Sequence, residues 1–231
     1  MQTNNSDNMD RPNPLRRKLF RGVPAGLGVL MAVQAKTALG TGVCISPSAK
    51  MSGNQSHPHG PGNCRGGRSP GYWVQPQHWG AWSPYRYPEF TPGVEACSPG
   101  NVSNLTLADI VDHGTPLSAV VGNDPPPPTG IGMWYAIANP TDSATFGDTT
   151  RGQLLRHLSA AFLNANLFGA DYPITKNQII EMWKQTNGGT TGLYCPSAGC
   201  GANAWTATQV KDYIEQMYDI NSPVINYCKK K

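Results

Sequence analysis

The chain has 231 residues, with 18 Lys+Arg against 14 Asp+Glu and a formal net charge of +4. Residues 1–35 carry five basic and two acidic side chains, which leaves the remainder at thirteen against twelve, close to neutral. That balance excludes nucleic acid and an anionic membrane surface as partners read from charge. Charged residues make up 14% of the chain, and 26 Gly with 21 Pro about a fifth of it, a loop-rich extracellular composition.

The first element is a targeting segment. Arg16 and Arg17 precede an apolar run from Gly22 to Val33, followed by Ala35, Ala38 and Gly40. A basic head, an apolar middle and a small-residue zone form an export signal. The run is shorter than the ~20 apolar residues that a membrane span needs. The paired arginines and the glycine-containing middle point to bacterial twin-arginine export, with that machinery as first partner. The signal spans residues 1–35, with cleavage as late as residue 40. The expected location is periplasm, cell surface or extracellular space, and the mature form is expected to have no membrane span.

Six cysteines follow: Cys44, Cys64, Cys97, Cys195, Cys200 and Cys228. An even number in an exported chain reads as disulfides, with fifteen connectivities open for six cysteines. The nearest pair, Cys195 and Cys200, is the expected local bridge. Zinc needs four ligands at suitable spacing, and no histidine lies near that pair.

Residues 41–147 form a loop-rich segment containing Cys, Trp and Pro, and residues 148–231 a helical part packed with it as one domain. Pro70-Gly71 suits a type II turn. Tyr72, Trp73, Trp79, Trp82, Tyr85 and Tyr87 crowd into sixteen positions. As a small aromatic core they replace scarce aliphatics; as a platform they bind sugar or a partner. Trp73 is expected in the core, and binding is expected to fall to Trp79, Trp82 or Tyr85. Arg65 and Arg68 are placed to stack on these rings. A short helix is expected from Thr106, with Asp109 at its third place. Asp124-Pro125-Pro126-Pro127-Pro128 reads as an exposed polyproline spacer. The run Ile131–Ala138 is apolar and reads as a helix leading into Asn139-Pro140.

Beyond residue 147, Thr-x-x-Gln recurs as Thr150…Gln153, Thr175…Gln178 and Thr206…Gln209. Each is a capping-box pattern ahead of apolar residues at helical spacing. Three one-faced helices are therefore expected, the second ending at Gly188-Gly189. The fold class is mainly α with long irregular Gly/Pro-rich loops, a small disulfide-stapled helical domain.

Recognisable chemistry is sparse. No phosphate loop, His-Glu-x-x-His helix or nucleophile elbow occurs. His57-Pro-His59, with His78, reads as an exposed adventitious metal pair. His157, on the first predicted helix, reads as a packed or surface residue unless an acid such as Asp148 pairs with it as part of a general base. No catalytic residue, metal or cofactor is assigned.

The segment Cys64-Arg-Gly-Gly-Arg-Ser-Pro-Gly-Tyr-Trp73, with His78, Trp79 and Trp82 after it, resembles a motif of exported bacterial proteins of unknown function. Those carry Ser/Thr-Pro-Gly-Tyr-Trp-Lys, often twin-arginine signals, and helices similar to Leu154–Ala165 and Tyr172–Ile180. This chain departs at Val74, where Lys is usual, and at Gln75. The resemblance implies location and architecture only. The expected function is that of a structural or interaction protein at the cell surface or in the extracellular matrix, touching a surface protein or polysaccharide. The alternatives are a secreted carbohydrate-binding module built on the Trp/Tyr cluster and a twin-arginine-exported hydrolase or redox enzyme. The sequence leaves enzyme activity open and favours a non-enzyme.

Overall fold

A computed structural model describes residues 45–52, 66–93, 105–196 and 200–218. The signal segment with Arg16 and Arg17, the pair His57 and His59, Arg65, and Cys44, Cys64, Cys97 and Cys228 lie outside the described residues. Everything described belongs to one unit, Gly40–Lys231. It is mainly α, with eight α-helices and one two-stranded sheet among the described residues.

The helices are α1 (Pro47–Met51), α2 (Pro70–Trp73), α3 (Ser118–Val121), α4 (Met133–Ala138), α5 (Ser143–Phe146), α6 (Thr149–Phe168), α7 (Lys176–Gln185) and α8 (Ala207–Gln216). Strands β1 (Glu89–Phe90) and β2 (Ile110–Asp112) pair antiparallel, with Phe90 opposite Ile110. The long α6 is the central helix of this unit. Helices α2, α3, α4, α5, α7 and α8 all pack on it. Leu154, Leu155, Leu158, Ala161, Phe162 and Leu163 are buried around its circumference, so it is a core helix rather than the one-faced helix expected. Small residues let neighbours approach closely. At Gly152 a Cβ would lie 2.0 Å from the Pro140 carbonyl oxygen, so glycine is required for that packing.

Two capping boxes form as the Thr-x-x-Gln spacing predicts. Thr175 N–H donates to Gln178 Oε1 at 2.8 Å, and Gln178 N–H returns to Thr175 Oγ1 at 3.2 Å. Thr206 and Gln209 do the same at 2.8 and 3.3 Å. The third box does not form. Asp148 caps α6 instead, accepting from Arg151 N–H at 2.8 Å, and Thr150 falls inside the helix. Gly147, at φ 86°, ends α5 and delivers Asp148 in extended conformation, so the helix starts one residue before Thr150. After α7, Asn187, Gly188 and Gly189 take φ of 50°, 64° and 92°, which stops the helix where the glycine pair was expected to.

Three further expectations need correction. Thr106 and Asp109 close a capping box, but only over one 3₁₀ turn, Leu107–Asp109. The β-branched Ile110-Val111 then extends into β2 because β1 offers a pairing edge. Pro70-Gly71 is not a type II turn: Pro70 opens α2 at its first position, after an extended Ser69, and Gly71 is helical. The proline run is not an exposed spacer. Pro127 is buried, the Pro125 carbonyl accepts from Trp183 Nε1 at 2.7 Å, and the Pro126 carbonyl accepts from Arg151 at 3.2 Å. A proline carbonyl is a good acceptor, and the buried indole N–H of Trp183 requires one. The Ile131–Ala138 run does form a helix, α4, with all six of its residues buried.

Candidate binding surface around Trp79

The surface begins with a segment fastened to α6. Asn164 is the clasp. Its Oδ1 accepts from Arg68 N–H at 2.7 Å and from Trp73 Nε1 at 3.3 Å, and its Nδ2 donates to the Arg68 carbonyl at 2.9 Å. Gly67 N–H donates to the Met217 carbonyl at 2.7 Å, which ties the same segment to the end of α8. A Cβ on Gly67 would sit 2.4 Å from Asn164 Nδ2. The run from Gly67 to Trp73 is thus held by backbone and amide hydrogen bonds, with Trp73 fully buried beneath it.

Trp73 in turn carries the next layer. Its carbonyl accepts from Trp82 Nε1 at 3.2 Å. The neighbouring Val74 carbonyl accepts from Tyr87 Oη at 2.6 Å and from Trp134 Nε1 at 3.0 Å. Two buried indoles and the Tyr87 hydroxyl therefore satisfy their donors at two adjacent carbonyls, as burial demands. Tyr87 stands at the centre of the rings, near-perpendicular to Trp82 (5.3 Å between centroids), Trp134 (6.2 Å) and Trp79 (6.4 Å). Burial pushes its phenol far above the ordinary range, so the hydroxyl stays a donor.

The 3₁₀ helix Pro76–Trp82 sets Trp79 on this base. Residues three apart nearly eclipse in such a helix, so Trp79 and Trp82 both reach Tyr87. Their depths differ: Trp82 is fully buried, and Trp79 is 64% exposed. Trp82 is thereby removed from the candidate binding residues, because its ring and its N–H are consumed by the core. His78 points inward and stacks on Tyr72 at 3.6 Å and 16°. Burial and the nearby Arg68 guanidinium lower its pKa, which favours a neutral imidazole. Arg68 lies 5.3 Å over the Tyr72 ring, a stacking role predicted for it.

Tyr85 is half-buried and already engaged. Its ring packs on Phe162 at 4.9 Å, and its hydroxyl accepts from Lys176 Nζ at 2.7 Å. Lys176 also donates to Asn166 Oδ1 at 3.0 Å, while Asn166 Nδ2 donates to the Ser83 carbonyl at 2.8 Å. This network pins the chain just after the 3₁₀ helix to α6 and α7. Trp79 is left as the outward member of the three expected binding residues.

Two other predicted groups lie away from this surface. Cys195 and Cys200 are bonded, and their loop is closed at its base by the antiparallel bridge Tyr194–Trp205. His157 is buried on α6, with Nδ1 2.8 Å from Tyr218 Oη and Nε2 3.2 Å from Glu215 Oε1. Burial first, then Arg156 and Lys211, bring its pKa to about 3. The imidazole is neutral, so Nε2–H donates to Glu215 and Nδ1 accepts from Tyr218. Asp148 is occupied as the α6 cap, and Glu215 is the acid that reaches the ring. A buried imidazole of such low basicity is a structural link rather than a general base.

Among the described residues, no group of three metal-ligating side chains gathers, and no helix is long and apolar enough to cross a membrane. Asn164 and Glu215 were missed from sequence, and Tyr87 was read only as one ring of the aromatic cluster. An Asn inside the apolar helix Leu154–Ala165 is the one signal available, since a buried amide needs partners. Compared with family models, curated proteins and solved structures, the chain matches none.

Proposed function

We propose that this is an exported bacterial protein of structural or interaction type, acting by contact at the cell surface or in the extracellular matrix through the surface centred on Trp79. The observation that carries the reading is the contrast between Trp79 and its neighbours. A tryptophan 64% exposed stands on a base of buried, hydrogen-bonded rings. Large exposed aromatics on rigid supports are favoured anchors for partners, because little conformational entropy is lost on binding. The basic pair Arg16-Arg17 ahead of an apolar run supports export by the twin-arginine route. The Ser69-Pro-Gly-Tyr-Trp73 resemblance supports the same location. The Cys195–Cys200 bond fits an oxidising compartment. On this reading the mature chain is a small disulfide-stapled helical domain with long Gly/Pro-rich loops, and the remaining cysteines pair as well.

The test is retention on isolated native cell envelopes. The mature protein should sediment with them, and Trp79→Ala should not, at an unchanged melting temperature. Equal retention of the two proteins would refute the contact reading.

A further inference from the structure

We propose that the Trp79 surface takes an uncharged polysaccharide chain, with the indole stacking on a sugar ring. The inference rests on the contact reading of this surface given above and names its ligand class.

The ring itself is the first argument. Trp79 meets Tyr87 near-perpendicularly, at 79°, and is otherwise largely open at 64% exposure. A pyranose presents a face of C–H groups that matches the electron-rich face of an indole. One well-supported indole is enough for one sugar ring.

Charge is the second. From Val74 to Tyr85 the sequence holds no Asp, Glu, Lys or Arg. Its only titratable side chain apart from Tyr85 is the buried His78, which is disposed to be neutral. The exposed residues beside Trp79 are Gln77, Gly80, Ser83 and Pro84. Amide and hydroxyl groups suit sugar hydroxyls. An anionic polymer would find no cation in this stretch and a cationic partner no carboxylate, and the adjoining Arg86 is already paired with Asp112.

Space is the third. A Cβ added at Gly80 would meet nothing within 4 Å among the described residues, so the backbone beside the indole is left uncovered by them. A protein partner would favour a wider apolar patch with several anchors. Among the described residues, the other exposed large apolar side chains, Val111, Leu167 and Leu193, are instead carried by β2, α6 and the loop before the disulfide.

The experiment is a pull-down on insoluble cellulose and chitin, with polygalacturonate as the anionic comparison and native envelopes, untreated and protease-treated, as the reference. Wild type, Trp79→Ala and Trp79→Tyr are compared, each with its melting temperature. The expected result is retention on at least one uncharged polymer, insensitive to molar salt, since no ion pair is involved. Trp79→Ala should weaken it by about tenfold or more, as loss of a central aromatic anchor does. Trp79→Tyr, which keeps a stacking ring, should restore most of it. Retention only on polygalacturonate, or none on any polymer, overturns the proposal. If Trp79-dependent envelope retention survives in that case but is destroyed by protease, the partner is a protein and the contact reading stands without the sugar. If Trp79→Ala is retained everywhere as wild type is, both readings fall. A large drop in the melting temperature of Trp79→Ala also overturns both, because it places the ring in the core.

Discussion

Three tryptophans in ten residues do three different jobs. Trp73 is the support, Trp82 seals it, and Trp79 faces solvent. Trp73→Ala should cost ~3–5 kcal/mol, as large-to-small changes in a core do. Against a typical stability of about 5–15 kcal/mol that leaves a badly weakened or unfolded protein. Trp79→Ala, at an exposed site, should lie within about 0.5 kcal/mol of wild type. Urea unfolding of the two variants side by side checks the pair, and a stable Trp73→Ala protein would reverse the assignment of support and platform. Asn164 is the residue whose loss should resemble that of Trp73 most closely. Asn164→Leu keeps the volume but leaves Arg68 N–H and the Trp73 indole N–H without their acceptor. Orphaning the buried indole donor alone costs about 1–3 kcal/mol.

At the scale of elements, the short helices depend on their ends. Helices α7 and α8 have ten residues each, too few to be stable alone. Their capping boxes fix where they start, and packing on α6 holds them. Thr175→Ala and Thr206→Ala should each cost about 1 kcal/mol, whereas Thr150→Ala should cost much less, because Thr150 caps nothing. Asp148→Ala should carry the penalty that the sequence pattern assigns to Thr150. Thermal melts of the four variants separate the two assignments. Reduction of Cys195–Cys200 opens a loop of five residues' separation and should remove about 2 kcal/mol in the chain-entropy model. The Tyr194–Trp205 bridge and the tilted packing of Trp205 on Tyr213 at 4.9 Å keep that loop in place after reduction.

The whole molecule should be sensitive to acid through His157. Its pKa is about 3 in the folded chain against 6.5 in the unfolded one. Between those values the unfolded chain binds a proton that the folded chain refuses. The stabilisation is therefore fully present above pH 6.5 and is lost as pH falls towards 3. The loss is of the order of a few kcal/mol at its acid end. Protonation would also end the acceptor role of Nδ1 towards Tyr218, whose neighbour Met217 holds Gly67. Acid should then loosen the base of the Trp79 surface together with the α6–α8 interface. Denaturant midpoints at pH 7 and pH 4 measure the slope, and His157→Gln should flatten it; an unchanged slope in that variant would place the acid sensitivity elsewhere. The proposed export is also tested on the whole chain. Changing Arg16 and Arg17 to Lys keeps the charge and removes the paired guanidinium groups, so precursor should accumulate uncleaved inside the cell. Mature protein from the wild type should begin at Lys36 or Thr41 by N-terminal sequencing.

Short-range chemistry was legible in the chain. Thr175 with Gln178, Thr206 with Gln209, the glycine stop after α7 and the Cys195–Cys200 bridge each join groups three to five residues apart. At such distances the backbone leaves few alternatives, so spacing and residue type settle the partner. Trp73 was legible as a core residue, whereas Trp79 and Trp82 were legible only as members of a cluster. Which of Trp79 and Trp82 faces water depends on where Tyr87 and the Trp73 carbonyl sit beneath the 3₁₀ helix, a matter of packing depth that spacing does not encode. Asn164 was invisible as a clasp because its partner Arg68 lies 96 residues away. Asp148 displaced Thr150 as a cap because the preceding helix ended at Gly147 and brought a carboxylate to the free N–H groups first. The proline run was drawn against the helices because a distant indole, Trp183, needed a carbonyl. Sequence by itself determined the local helix signals and the nearest covalent link, because those are closed within a turn or two of chain. Tertiary structure alone decided which polar groups are paired in the interior and which aromatic ring is left in water, because those outcomes depend on segments that meet only when the chain has folded.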